Sequence, residues 1–369
     1  MQVFDLASGK KQAAFTMGGA AVKFWTWLTP TVVGIVTDTS VFHWTMGTAA
    51  PVKMFDRLAA NTSCQVISYA MSPDTKWLLL GGICKGASGQ PGDIDGHMQF
   101  YSVEKNVSQP LKGFAGSFCE VNARGETEPK AQCFVFAQKD APGSLKLFVK
   151  EIGRDRSAPG GVLTVAPQQI PMENPMDFPV AAQASPKHDM LFMITKMGFL
   201  YLFDIHSATC LFRHRIVNEP VFVSCAHSAS SGMLGITAGK GQVLSVSLNT
   251  ANIIPHITKM GPQGVALAMA IAGRLNLRGA EQLYVQRFEQ LIGAGQIKEA
   301  AAVAAKSPNG MLRTPETISR FQAMTGTPPP LLQYFAVILE TGKLNKMETL
   351  EFARPVLQVS DSVFDSSAC

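Results

Sequence analysis

Charge is scarce in this 369-residue chain: Asp, Glu, Lys and Arg make up 16% of it, against 46% apolar residues. That balance excludes a disordered chain, which buries too little apolar surface to order itself. The net charge of +5 is spread along the sequence, whereas a nucleic-acid footprint concentrates Lys and Arg on one face; the mild excess suits short acidic peptides. Long apolar runs are missing too. The longest, Val265–Ala272, falls far short of the roughly 20 residues of a membrane span. No C-x-x-C pair occurs among the seven cysteines, Cys64, Cys84, Cys119, Cys133, Cys210, Cys225 and Cys369. They are expected to be reduced, mostly buried thiols of a cytosolic protein. Met1–Leu6 alternates like a strand from the first residue, so no signal peptide is expected. The Asn61-Thr62-Ser63 and Asn106-Val107-Ser108 glycosylation patterns are then fortuitous.

Catalytic constellations are also lacking. The stretch from Gly235 to Lys240 is too short for a phosphate loop, and Gly241 stands where Ser or Thr would bind magnesium. His188-Asp189 has no accompanying G-x-S-x-G, and His206 and His214 have no Cys or carboxylate at metal-ligand spacing. Asp93 and Asp95 lack the remaining ligands of a calcium loop. All of these read as turn residues. No cofactor and no metal site are expected.

What is present is repetition. Between Phe178 and Ile216 lie four short apolar runs, Val180–Ala184, Met190–Thr195, Phe199–Asp204 and Thr209–Ile216, separated by turn-prone pieces. Such runs read as four antiparallel strands. The third, GFLYLFD from Gly198, has counterparts from Ser40, Gly96, Gly143 and Gly241, with the opening MQVFDL a strand of the same kind. The starting points advance by about 39, 56, 47, 55 and 43 residues, the period of a β-propeller blade. Five full blades are expected over about 17–60, 61–112, 113–172, 173–217 and 218–258, after one lone strand. No WD40 marks accompany them. Beyond Thr258 the spacing turns helical: Val265, Leu267, Met269, Leu275, Leu283, Phe288 and Leu291 suggest one helix from Gln263 to Ile292, ended by Gly293-Ala294-Gly295. Helices are expected again at Ile297–Ala305, after Thr314-Pro315, at Leu331–Glu340 and at Lys343–Leu357. The expected architecture is a partial propeller over 1–258 followed by an α-helical linker and α-solenoid start over 259–369.

The strings FWTW, VFHWTM, PVKMFDR, KWLLLGGI, KHDMLFMITKMGFLYLFD, GKGQVLSV, NIIPHIT and LLQYFAVILETGKLNKMETLEFARPVLQ stand in that order between Phe24 and Gln358. Through them the chain resembles the clathrin heavy chain from Gln2 to about Gln358. The resemblance implies a seven-bladed terminal propeller, a helical linker and the start of a leg that builds cages. It implies a non-enzymatic coat protein at the cytoplasmic face of coated pits and vesicles, held peripherally on the membrane by adaptors carrying clathrin-box-like motifs. In the complete protein it implies the light chain and other heavy chains as partners. The rivals are a propeller-plus-solenoid coat protein of another compartment and a propeller-based enzyme.

Residue by residue, the resemblance places three peptide grooves. Gln2 and Phe4, with Lys10 or Lys11, match a groove for Leu-x-x-acidic motifs; Gln65 and Ile67 match a second at the top centre of the ring; Trp77, Phe100, Lys105 and Gln109 match a third. At the third, the family more often has Leu and Arg where Phe100 and Lys105 stand, and Lys lacks the forked donor geometry of Arg. The family's first blade and most of its second have no counterpart in this sequence, and the tail after Gln358 does not resemble the leg. The expectation is a fragment whose blade 17–60 exposes some of Trp25, Trp27 and Trp44.

Overall fold

The computed structural model describes all residues except 87–91, 124–128, 142–143, 156, 158–161, 228–229, 238 and 355–369. Gly143, Cys369 and the tail beyond Arg354 therefore lie outside the described residues. Those up to Ser247 form one compact unit and those from Leu248 another.

The first unit is a succession of antiparallel sheets. Strands β1 (Gln2–Phe4) and β2 (Lys11–Ala14) pair as a hairpin. Blade 1 comprises β3 (Val22–Trp27), β4 (Val32–Thr37), β5 (Ser40–Thr45) and β6 (Val52–Asp56). After a single helical turn, α1 (Ala59–Thr62), blade 2 follows with β7 (Gln65–Met71), β8 (Trp77–Lys85), β9 (Ile94–Ser102) and β10 (Val107–Lys112). Blade 3 is β11 (Gly116–Val121), β12 (Ala131–Ala141), β13 (Ser144–Glu151) and β14 (Gln168–Ile170). Blade 4 is β15 (Pro179–Ser185), β16 (Met190–Thr195), β17 (Phe199–Asp204) and β18 (Cys210–Arg215). Blade 5 is β19 (Val221–His227), β20 (Gly232–Thr237) and β21 (Val243–Val246). Each sheet runs up and down in chain order, and the leading strands of successive blades lie side by side, β3 by β7 through to β15 by β19. This is a five-bladed β-propeller arrangement followed by helices.

Apolar faces of neighbouring sheets cover one another from the opening hairpin through blade 3. Val36, Val41 and Phe55 of blade 1 interlock with Tyr69, Leu78, Leu80 and Tyr101 of blade 2. Leu79 and Met98 on the opposite face of blade 2 meet Phe118, Phe134 and Phe136 of blade 3. The rings contribute directional contacts as well as area: Phe55 stacks on Tyr101 at 4.6 Å, and Phe100 meets Phe134 at a tilt at 5.2 Å. A buried amide stitches blades 1 and 2, since Gln99 Oε1 accepts from the Leu58 N–H and its Nε2 donates to the Asp56 carbonyl, both at 2.8 Å. Gly34 lets Tyr69 approach, because a Cβ there would sit 2.6 Å from the Tyr69 ring.

The second unit comprises α2 (Ile253–Thr258), α3 (Pro262–Leu275), α4 (Glu281–Gly293), α5 (Ile297–Ala305), α6 (Pro315–Ala323) and α7 (Pro330–Thr341), with residues 346–354 also helical. Thr314 caps α6 by accepting from the Thr317 N–H, with Pro315 at the first position. Buried Glu348 accepts from Arg313 Nε at 2.9 Å, the Tyr334 hydroxyl at 2.7 Å and the Asn345 N–H at 2.8 Å. Burial pushes its carboxyl upward, but these donors outweigh burial and hold it below the ordinary glutamate value.

Several expectations are corrected. The lone opening strand is one arm of a hairpin; its partner KQAA has little strand character and is held by pairing with β1. Blade 5 has three described strands, not four, because residues 249–258 turn at Asn249 and enter α2, burying Ile253, Ile254 and Ile257 at helical spacing. The single helix over 263–292 is two, broken where Asn276 adopts a left-handed conformation (φ 51°, ψ 40°) and ends α3. Nor are all the cysteines reduced. Cys64 and Cys84 continue the Gln65–Ile83 pairing of β7 and β8, face one another with Cα atoms 4.7 Å apart, and form a disulfide. Among the four free thiols of the described residues, Cys119 and Cys133 are buried and Cys225 is exposed. The expected exposure in blade 1 is found for Trp25 and Trp27, at 55% and 44%, whereas Trp44 is fully buried against Phe15.

The contact between blades 1 and 2 carries a pH signature. His43 Nε2 lies 2.7 Å from the Tyr69 hydroxyl, and burial lowers the imidazole to about 4. The folded state therefore disfavours the proton that the unfolded chain takes up near about 6.5. Stability is full above that value and declines as pH falls toward the folded pKa, below which the loss levels off. His43→Gln should narrow the difference in melting temperature between pH 7.5 and pH 5 relative to the parent chain, as read by thermal circular dichroism; an unchanged difference would show that His43 titrates normally.

Candidate peptide-binding site

Along β1, side chains alternate between two environments. Val3, with Met1 and Ala13, packs on Val33, Ile35 and Trp44 of blade 1. Gln2 and Phe4 therefore point the other way, into the open, and Phe4 is 52% exposed. Register places Lys11 directly opposite Phe4, while Lys10 lies at the end of the connecting turn. Asp5 closes that turn, its carboxylate accepting from the Ser8 N–H at 2.8 Å and Gln12 Nε2 at 3.1 Å. Those hydrogen bonds, the Ser8 N–H foremost, lower its pKa. The fold thus brings Gln2, Phe4, Lys10 and Lys11 to one hairpin, an exposed ring with two cations at its rim.

Gln65 and Ile67 lie on β7, which neighbours β3, β11 and β15 near the inner end of the blades. They do not share an environment. Gln65 is exposed and Ile67 buried, with the pairing irregularity between Val66 and Ser68 separating them.

Trp77, Phe100 and Gln109 do come together. Trp77 stacks on Phe100 at 5.0 Å with 27° between the rings, and Gln109 pairs across the strands with Phe100. Both rings are half-buried at the edge of the blade 2 and blade 3 contact, over a floor of Phe118, Phe134, Phe148 and Ile152. Lys105 is exposed in the β9–β10 turn, beside the Lys76–Glu104 ion pair at 2.6 Å. The hydrogen bond to Glu104 raises the Lys76 pKa. The floor residues were not among the sequence candidates; the signal for them was the apolar alternation of GSFCEV, QCFVF and SLKLFVKE on β11, β12 and β13.

The discarded motifs have ordinary partners. Lys139 Nζ bridges Asp93 and Asp95 at 3.0 and 3.3 Å. His206 Nε2 lies 2.8 Å from Asp189, and Gly235 pairs with Leu244 between β20 and β21, residue 238 lying outside the described residues. Among the described residues no cluster of three metal-ligating side chains occurs, and no helix is long and apolar enough to cross a membrane.

Residues 276–338, from the end of α3 into α7, match the Clathrin-H-link family. The chain is 44% identical over 366 residues to "Clathrin heavy chain" of Drosophila melanogaster, covering 97% of this chain and 21% of the relative. It is 41% identical to "Clathrin heavy chain 2" of Homo sapiens, covering 97% and 22%, and 40% identical to "Probable clathrin heavy chain" of Schizosaccharomyces pombe, covering 97% and 21%. This chain is a clathrin heavy-chain homologue. It spans about a fifth of the length of those clathrin heavy chains, and the match runs through both the sheets and the helices.

The blade 2 and blade 3 groove makes a measurable distinction. A fully buried Trp replaced by Ala typically costs about 3–5 kcal/mol. Trp77, half-open and stacked on one ring, should cost less than about 2 kcal/mol as Trp77→Ala, given the modest worth of a single aromatic pair. Urea unfolding measures it, and a loss above that bound would make Trp77 a core residue.

Proposed function

We propose that this chain serves as a clathrin-type coat scaffold whose propeller sheets capture short acidic-hydrophobic peptides and whose helices continue toward a lattice-forming leg. The observation that carries the reading is the hairpin at the start of the chain, where Gln2 and Phe4 are exposed with Lys11 paired opposite Phe4, on a chain that is 40–44% identical to clathrin heavy chains over 97% of its length.

The chemistry suits the task. An extended Leu-x-x-acidic peptide would lay its apolar side chain against Phe4, hydrogen-bond Gln2, and bring its carboxylates toward Lys10 and Lys11. The half-buried Trp77–Phe100 pair, with Gln109 beside it and Lys105 nearby, supports a second peptide groove, and exposed Gln65 a third. A segment of about five residues gains little affinity alone, so many copies in a coat would supply avidity. In the whole protein this role places the chain at the cytoplasmic face of coated pits and vesicles, with adaptors, light chains and other heavy chains as partners. It serves endocytosis and intracellular protein transport there, without catalysis.

Binding to immobilised Leu-x-x-Asp peptides tests the reading. The parent chain should be retained, and the Lys10→Glu/Lys11→Glu variant should lose roughly threefold to tenfold in affinity, the range for two reversed exposed charges. The loss should grow at low salt, since exposed charges are screened. Equal retention of parent and variant at both salt concentrations would refute the site.

A further inference from the structure

We propose that the Cys64–Cys84 disulfide is a thiol-exchange site that sets the order of the strand presenting Gln65. Three observations meet here. Cys64 immediately precedes β7, and Gln65 is that strand's first residue, exposed and paired with Ile83. Cys84 lies next to Ile83 on β8, so the disulfide closes the open end of the β7–β8 hairpin, the end opposite its turn. The two cysteines also differ in access. Cys64 is buried, at 6% exposure, whereas Cys84, registered opposite Asp95 on β9, is only partly buried and is the one a solution thiolate would attack.

The remaining restraints on this end of the strand act on the other side of Cys64. Buried Arg57 donates to the Thr37, Asp38 and Asn61 carbonyls and, at 3.2 Å, to the Cys64 carbonyl. That guanidinium anchors the connector between blades 1 and 2 whether or not the disulfide is present. The link from the strand head across to β8 at this position is the disulfide, with the Gln65–Ile83 pair beside it and the irregularity at Val66–Ser68 just beyond. Opening the bond would therefore loosen Gln65 at the strand head, while Val66 stays packed against the blade 1 and blade 2 cluster.

The exchange balances as follows. The thiolate of a low-molecular-weight thiol attacks Cys84 Sγ; the bond to Cys64 breaks, and Cys64 leaves as a thiolate and takes a proton. A second thiol then attacks the small-molecule sulfur of the mixed disulfide, releasing Cys84 as a thiol. Two small thiols become one small disulfide, and their two electrons and two protons pass to Cys64 and Cys84. A low-molecular-weight disulfide runs the sequence backward.

Blade 3 supplies an internal control. Cys119 and Cys133 are also direct cross-strand partners on the first two strands of their blade, but they are free thiols at 5% and 0% exposure, out of reach of solution reagents. The bearing of the switch on peptide capture rests on the reading of Gln65 proposed above. The test uses no peptide, so a failure of that reading leaves it intact.

The folded 369-residue chain is alkylated with iodoacetamide before and after dithiothreitol and mapped by mass spectrometry, with hydrogen exchange followed over residues 64–71. Cys64 and Cys84 should resist labelling until the reductant is added, while Cys119 and Cys133 should resist until denaturant is added. Reduction should speed exchange over the head of β7 by roughly tenfold, a local opening, and leave α3 to α7 unchanged. Cys84→Ser should reproduce that exchange without reductant. Labelling of Cys64 and Cys84 before reduction would overturn the assignment. Exchange over β7 indifferent to both dithiothreitol and Cys84→Ser would overturn the switch.

Discussion

Face-to-face packing of adjacent sheets is the interaction on which the first unit depends. A single twisted four-stranded sheet cannot bury both of its apolar faces, and here neighbouring sheets cover one another. The opening hairpin lies on blade 1, blade 1 on blade 2, and blade 2 on blade 3, through the clusters around Trp44, Tyr69 and Phe134. Much of the apolar surface taken from water, at roughly 25 cal/mol per Å², is therefore shared between sheets. Polar links such as Gln99 and the His43–Tyr69 pair fix how the sheets face each other.

Binding surfaces follow from where that packing stops. At the edge of the blade 2 and blade 3 contact, the aromatic series Phe136, Phe134 and Phe100 runs outward to Trp77 and ends half-open. On β1 the same alternation that seats Val3 in the core turns Phe4 outward beside Lys11. Neither surface needs a special loop. Trp77 is the half-open last ring of a packed series and Phe4 the outward residue of the opening hairpin, and such uncovered apolar surface is what a weak, extended, part-apolar ligand requires.

Much of this was legible in the sequence. The recurring third strand announced the blades, and its leading Gly198 adopts φ +80°, the conformation its turn needs. Thr314-Pro315 marked a helix start that the structure caps as expected. What escaped was set by tertiary contact. KQAA is a strand through its pairing with β1, Ile253 to Ile257 is too short an apolar run to tell helix from strand, and Asn276 ends α3 through a left-handed turn that spacing alone does not reveal. Cys64 and Cys84 are 20 residues apart and match no spacing motif; antiparallel pairing brings them together. The candidate residues were chosen by resemblance. Composition did not distinguish exposed Gln65 from buried Ile67, because their difference arises from a local irregularity in β7.

The central claim is that outward-facing residues at the ends of the packed series are where peptides dock. A crystal structure of the chain soaked with a Leu-x-x-Asp peptide measures this most directly. The account predicts an extended peptide with its Leu against Phe4, within hydrogen-bond reach of Gln2, and its carboxylate toward Lys10 or Lys11. Peptide bound away from the hairpin and from the Trp77–Phe100 groove, or none at a saturating concentration, would contradict it.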